Sequence, residues 1–117
     1  MTNYQKLKVW QKGMEIVCAV YGIATQLPSE EKFGLRSQIT RCSISIPSNI
    51  AEGSAKSSKK DYKNYLETAL GSTYELETQL LIMERLMFGD QDLRNSLLKM
   101  VDEEEKMLQS FILKLKE

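Results

Sequence analysis

The sequence predicts an all-α protein, an antiparallel up-down-up-down four-helix bundle that takes up residues 1–117 as one domain. Three observations carry that expectation. Apolar residues recur at alternating spacings of three and four in four separate stretches, which gives each stretch one helix face to bury. The breaks between stretches fall at Pro28, after Gly53 and at Gly89, and they are too short for a crossover, so neighbouring helices must run antiparallel. The 117 residues are 42% hydrophobic and 27% charged with only two prolines and six glycines, which excludes disordered and collagen-like chains. A chain of this length buries roughly two thirds of its unfolded surface in a single core.

The first helix is expected to bury Leu7, Trp10, Met14, Val17, Tyr21 and Ala24. Proline restricts the residue before it to extended geometry, so Gln26-Leu27-Pro28 ends this helix. Ser29 followed by Glu30 and Glu31 reads as the N-cap of the next, with acids at the positive end of its dipole. The second stripe is Leu35, Ile39, Cys42, Ile46, Asn49 and Gly53, and it runs straight through Pro47. A proline inside a helix costs about 3 kcal/mol or more, because it removes a donor and crowds the carbonyl four residues back, here that of Ser43. A kinked helix is therefore expected, with the hydroxyls of Ser43, Ser45 or Ser48 meeting freed backbone groups, or else a break at Pro47.

Ser58 with Asp61 three residues later resembles a capping box and starts the third helix. Its stripe is Tyr62, Leu66, Ala69, Thr73, Leu76, Leu80, Met83 and Met87, and the small residues Gly71 and Ser72 would let a neighbour approach closely. Gly89 supplies a left-handed C-terminal position and Asp90 a cap. The fourth helix then presents Leu93, Leu97, Met100, Met107, Phe111 and Leu115. Further apolar residues lie off these stripes: Val9, Ile16, Val20 and Ile23, then Ile44 and Ile50, then Leu81, Ile82 and Phe88. A second apolar face suggests contact between subunits, the alternative being a wide core stripe with scattered surface aliphatics.

Several chemistries are excluded or disfavoured. The chain has no histidine, so neither a histidine-dependent triad nor the Glu-x-x-His pairs of di-iron bundles can be built. No nucleophile–base pair or phosphate-binding glycine loop is visible, and no catalytic residue, metal or cofactor is expected. Glu52 with Glu75 would be a poor metal site without histidine. The run Asp102-Glu103-Glu104-Glu105 reads as the wet face of the fourth helix. Cys18 and Cys42 are too sparse for a disulfide framework and read as small core residues. The apolar runs are too short to span a bilayer and Met1–Lys12 is polar, so a cytoplasmic protein without membrane contact is expected.

Formal charge sums to zero, but it is unevenly laid out. From Lys32 to Lys63 there are seven basic residues and two acids, a balance of plus five; from Asn64 to Glu105 three basic residues stand against ten acids, a balance of minus seven. Lys56, Lys59, Lys60 and Lys63 gather at the start of the third helix, where the dipole already attracts anions. With Arg36 and Arg41 they form a candidate nucleic-acid patch that would hold phosphates with salt-dependent affinity and little base specificity. The alternative is a solvated lysine-rich helix end. Tyr62 belongs to the core stripe, which leaves Tyr65 as the aromatic residue better exposed for base stacking.

Three pieces of the sequence exceed what periodicity requires: Val9-Trp10, the block from Gln38 to Gly53 with its Ile46-Pro47-Ser48-Asn49-Ile50-Ala51-Glu52-Gly53 core, and Ala69-Leu70-Gly71-Ser72-Thr73-Tyr74-Glu75-Leu76-Glu77. Proline, asparagine and glycine are poor helix formers, so these spacings within a helical pattern are hard to reach by chance. From about Leu7 to Leu115 the chain resembles the bacterial four-helix-bundle proteins named after the intervening sequences of 23S ribosomal RNA genes. The resemblance implies a ring-shaped homopentamer. It also implies kinship with accessory subunits of diversity-generating retroelements, basic pentamers that bind nucleic acid and a reverse transcriptase. This chain departs from that second group in its neutral total charge.

Trp10, Pro47, Asn49, Glu52, Gly53, Gly71, Ser72 and Glu75 are read as residues of fold and assembly. A buried amide without partners costs about 1–3 kcal/mol, so Asn49 is expected to bond the backbone opened by Pro47 or a third-helix side chain such as Ser72 or Glu75. An Arg41–Glu52 contact would cross a subunit boundary rather than stay within one helix. The function that follows is a non-enzymatic homo-oligomer engaging structured RNA or another nucleic acid. The alternative is a protein-interaction scaffold that presents its apolar or acidic faces to a partner protein.

Overall fold

The computed structural model of the chain describes residues 3–116, so the first two residues of the Met1–Lys12 stretch and Glu117 lie outside the described residues. Four helices make up the fold: α1 (Lys8–Ala24), α2 (Leu35–Ser54), α3 (Lys59–Leu86) and α4 (Gln91–Lys116). Each packs on its neighbours in sequence, and α4 closes back on α1. The molecule measures 44 × 23 × 20 Å, and its long axis is about the length of α3 at 1.5 Å per residue.

Helix ends follow local chemistry. The Ser58 hydroxyl accepts from the Asp61 amide at 3.1 Å, and the Asp90 carboxylate accepts from that of Leu93 at 3.0 Å, as the sequence predicts. The start of α2 differs. Ser29–Glu31 form a short 3-10 turn of their own, and the carboxylate of Glu31 reaches forward to accept from the Leu35 amide at 3.1 Å. At the end of α3 it is Met87 that first turns left-handed (φ 58°), with Phe88 N–H donating to the Met83 carbonyl at 2.9 Å and Met87 N–H to that of Glu84 at 3.1 Å. Gly89 follows at φ 78°.

The core is built from Val9, Ile16, Val20 and Ile23 of α1, Ile39, Cys42, Ile46 and Ile50 of α2, Leu66, Ala69, Leu76, Leu80 and Met83 of α3, and Leu97, Val101, Leu108 and Ile112 of α4. The stripes predicted for α2 and α3 are largely the buried ones, although Met87 is exposed. On α1 the faces are exchanged. Val9, Ile16, Val20 and Ile23 go inside, while of the predicted stripe only Ala24 is buried, Leu7, Trp10 and Val17 are half-buried, and Met14 and Tyr21 are exposed. Both faces of α1 carry the same rhythm, and the inner one holds Gly13, where an added Cβ would sit 3.1 Å from Glu104 Oε2 and 3.3 Å from Pro47 Cβ. That contact lets α1 lie close against α2 and α4.

On α4 the buried line is Leu97, Val101, Glu104, Leu108 and Ile112, whereas Leu93 is exposed and Met100, Met107, Phe111 and Leu115 are half-buried. The acid run is therefore not a wet face throughout. Glu104 is fully buried and Glu105 nearly so. Cys18 is likewise exposed, contrary to its expected place in the core, while Cys42 is buried.

α2 runs unbroken from Leu35 to Ser54 through Pro47. The expected hydroxyl rescue does not occur: Ser43 Oγ donates to the Thr40 carbonyl, Ser45 Oγ pairs with Ser72 Oγ at 2.7 Å, and Ser48 is exposed. Asn49 donates through Nδ2 to the Ser45 carbonyl at 2.8 Å and to Ser45 Oγ at 2.9 Å, so it reaches Ser72 only through Ser45. Asn49, Ser45 and Ser72 form a polar ladder between α2 and α3, and the Cys42 thiol adds a bond to the Ser72 carbonyl at 3.1 Å. Burial, with the Glu75 carboxylate nearby, pushes that thiol up to about 12, which makes it an inert donor.

Candidate nucleic-acid interface

The corner where α2 ends and α3 begins is set by Gly53. A Cβ there would lie 2.8 Å from Tyr65 Cβ and 3.0 Å from Tyr62 Cδ1, so only glycine lets the two helices cross this closely. Tyr62 packs inward, edge-on to Phe111 with ring centroids 5.3 Å apart, and burial raises its phenol pKa. Tyr65 is half-buried, and the Lys56 ammonium sits 5.0 Å over its ring. Lys59 and Lys60 are exposed on the first turn of α3, and Lys63 is half-buried one turn on. Among the described residues none of these four ammoniums pairs with a carboxylate. Lys56 follows the carbonyl end of α2 and complements its dipole, whereas Lys59 and Lys60 stand at the positive end of α3 and oppose its own. The corner thus sets four ammoniums against the one exposed carboxylate of Asp61 on the same turn, open to solvent.

The structure brings Lys56, Lys59, Lys60 and Lys63 together and does not bring Arg36 to them. Arg36 lies at the opposite end of α2, about 27 Å away along a helix rising 1.5 Å per residue. Its Nη2 donates to the Leu27 carbonyl at 3.1 Å, while its Nε is buried without a partner. Arg41 is exposed between the two ends and forms no ion pair with Glu52, itself exposed. Glu75 is exposed and accepts from Gln79 Nε2 at 3.1 Å. Gly71 is exposed, and a Cβ there would meet nothing within 4 Å, so it is no close-approach point inside the bundle. Trp10 is half-buried, edge-on to Tyr4 at 5.4 Å.

Sequence reasoning missed Arg94 and Phe33 and misplaced Glu104 and Tyr21, four residues that the structure singles out. Arg94 is buried and donates to the carbonyls of Phe88 at 2.8 Å and Gly89 at 3.1 Å, closing the α3–α4 corner. Glu104 has neither carboxyl oxygen hydrogen-bonded, and burial pushes its pKa up to about 8 against the opposing pull of Lys12. Phe33 is 88% exposed with the Lys32 ammonium 5.3 Å from its ring, and Tyr21 is half exposed nearby. The available signal for Phe33 was an aromatic residue set between polar neighbours in a helix break. Among the described residues no group of three His, Cys, Asp or Glu side chains is placed to hold a metal, and no described helix is long and apolar enough to cross a membrane.

Comparison with known proteins adds two findings. The model of a family described as 23S rRNA-intervening sequence protein matches residues 5–110. Among solved structures, the chain is similar to a Bacteroides thetaiotaomicron VPI-5482 protein of unknown function from the S23 ribosomal protein family, with 28% identity, a TM-score of 0.82, and coverage of 89% of this chain and 97% of that one. No curated protein matches it.

Proposed function

Because the chain belongs to the 23S rRNA-intervening sequence protein family, we propose that it is a non-enzymatic, cytoplasmic, up-down-up-down bundle that assembles into a homopentameric ring and holds structured RNA at the Lys56–Lys63 corner, repeated around that ring. The observation that carries the reading is the set of four unpaired ammoniums at one corner, two of them at the positive end of a 28-residue helix. Such a corner attracts phosphate without selecting bases.

Two separate apolar faces support self-association. One is a groove of about 310 Å³ between α1 and α2, lined by Trp10, Met14, Val17, Ile44 and Pro47. The other, on α3, exposes Tyr74, Leu81, Ile82 and Leu86. Two unlike faces favour a head-to-tail contact, the kind that closes rings.

Light scattering on nuclease-treated protein, with the ultraviolet absorbance ratio recorded beforehand, tests both halves of the reading. A five-subunit mass with co-purifying nucleic acid is expected, followed by RNA affinity that falls steeply with salt and flattens in Lys59→Glu with Lys60→Glu. A clean monomer removes the repeated patch, and affinity indifferent to the two substitutions rejects this corner. The exposed Leu81 and Ile82 also suit a partner protein, which a pull-down after nuclease treatment would recover.

A further inference from the structure

A lysine corner that grips phosphates leaves the bases unread, yet the opposite end of α2 carries the complementary chemistry. We propose that the cleft between the last turns of α1 and the first of α2, walled by Tyr21 and Phe33 and edged by Lys32 and Arg36, is a stacking site for an unpaired base of the bound RNA. The inference rests on the RNA-binding reading above and names a second point of contact for it.

The cleft measures about 420 Å³, within the size range of small-molecule sites. Phe33 stands in the short segment between the Ser29–Glu31 turn and α2 and is 88% exposed, so its ring serves no packing within the protomer. Exposed aromatic faces flanked by cations are what single-stranded nucleic acid needs: the ring takes the base whatever its identity, and the cation takes the adjoining phosphate.

Both cations are in place. The Lys32 ammonium sits 5.3 Å from the Phe33 ring. Arg36 lines the cleft with its guanidinium tethered through Nη2 to the Leu27 carbonyl. No carboxylate lines the cleft, and the nearby Glu31 carboxylate is engaged in capping the Leu35 amide. Thr25 and Thr40 also line the cleft, and their hydroxyl protons go to the carbonyls of Gly22 and Arg36, which leaves both oxygens as acceptors for a base amine. Hydroxyls and cations around two rings suit a nucleobase better than the apolar side chain of a second subunit.

The test uses the assembled protein and a single-stranded RNA carrying 2-aminopurine, whose fluorescence is quenched on stacking, with affinity read by anisotropy. Wild type should quench. Phe33→Ala should abolish the quench and weaken binding about 5- to 100-fold while leaving the salt slope unchanged, and Phe33→Tyr should restore both. Lys59→Glu with Lys60→Glu should do the reverse, flattening the salt slope while the quench persists at saturation. If Phe33→Ala quenches and binds like wild type while the lysine variant weakens, the cleft is refuted and the lysine corner stands. Loss in Phe33→Ala alone keeps the cleft and rejects the corner. A fall in particle mass on Phe33→Ala would make Phe33 a subunit contact and overturn the proposal, as would failure of the wild type to bind the RNA at all.

Discussion

Glu104 is a carboxyl group that the core favours in its neutral form. Val101 and Leu108 flank it one turn away on α4, Gly13 faces it, and neither oxygen has a partner. The charged groups around it offset one another: Lys12 on α1 favours the anion and Glu15 opposes it, while the Lys12 ammonium is shared between Glu15 and Glu103 at 3.7 Å each. With a folded pKa of about 8 against an ordinary 4.5, the folded protein binds more protons than the unfolded chain between those values. The contribution of Glu104 to stability is therefore fully present below pH 4.5 and is lost as pH rises through 8, by an amount on the order of a few kcal/mol. Denaturant midpoints measured from pH 5 to pH 9 should fall for the wild type and fall much less for Glu104→Gln, and an unchanged slope in the variant would remove Glu104 as the cause. Asn49 shows the opposite handling of a polar group on an apolar stripe. Its amide is satisfied twice by Ser45 and so stays on the α2 face next to α3 without penalty.

Most of the predicted stripes of α2 and α3 were legible in the sequence, because on each helix the residues at the three-and-four spacing outnumber the apolar residues off it, although Ile50 is buried off the predicted line. α1 was not, since two stripes of identical rhythm compete on it and periodicity cannot rank them. The structure decides for the side carrying Gly13 and β-branched residues, leaves the bulkier Met14 and Tyr21 exposed, and holds Trp10 half-buried at the edge of the core. On α4 the true stripe was hidden because Glu104 occupies a core position and breaks the apolar rhythm. The lysine corner was visible as a charge run, whereas the Phe33 cleft joins residues from two helices that only folding brings together. Gly53 carries an element-scale prediction. Gly53→Ala should cost about 1–3 kcal/mol by forcing α2 off Tyr62 and Tyr65. The control Gly71→Ala, whose Cβ meets nothing, should gain up to about 1 kcal/mol from helix propensity. Equal unfolding midpoints for the two variants would show that close crossing is not what Gly53 supplies.

For the whole molecule, the long axis separates the α2–α3 corner from the end where the other two connections meet. There Gln26 Oε1 accepts from the Asp90 amide at 2.6 Å across 64 residues of sequence, and Arg94 pins the carbonyls of Phe88 and Gly89. The buried acids of α4 alter what this molecule presents to a polyanion. The zero formal charge counts all sixteen carboxylates, yet Glu104 is held mostly neutral at pH 7, and Glu105 is also shifted upward by burial and by the neighbouring Glu77. At pH 7 the folded protein thus carries a more positive net charge than its unfolded chain. In isoelectric focusing the native protein should band at higher pH than the same chain in urea; coincident bands would mean that both carboxyls are ionised in the fold. Folding is itself a charging step for this protein, and it moves a chain of balanced composition toward positive charge.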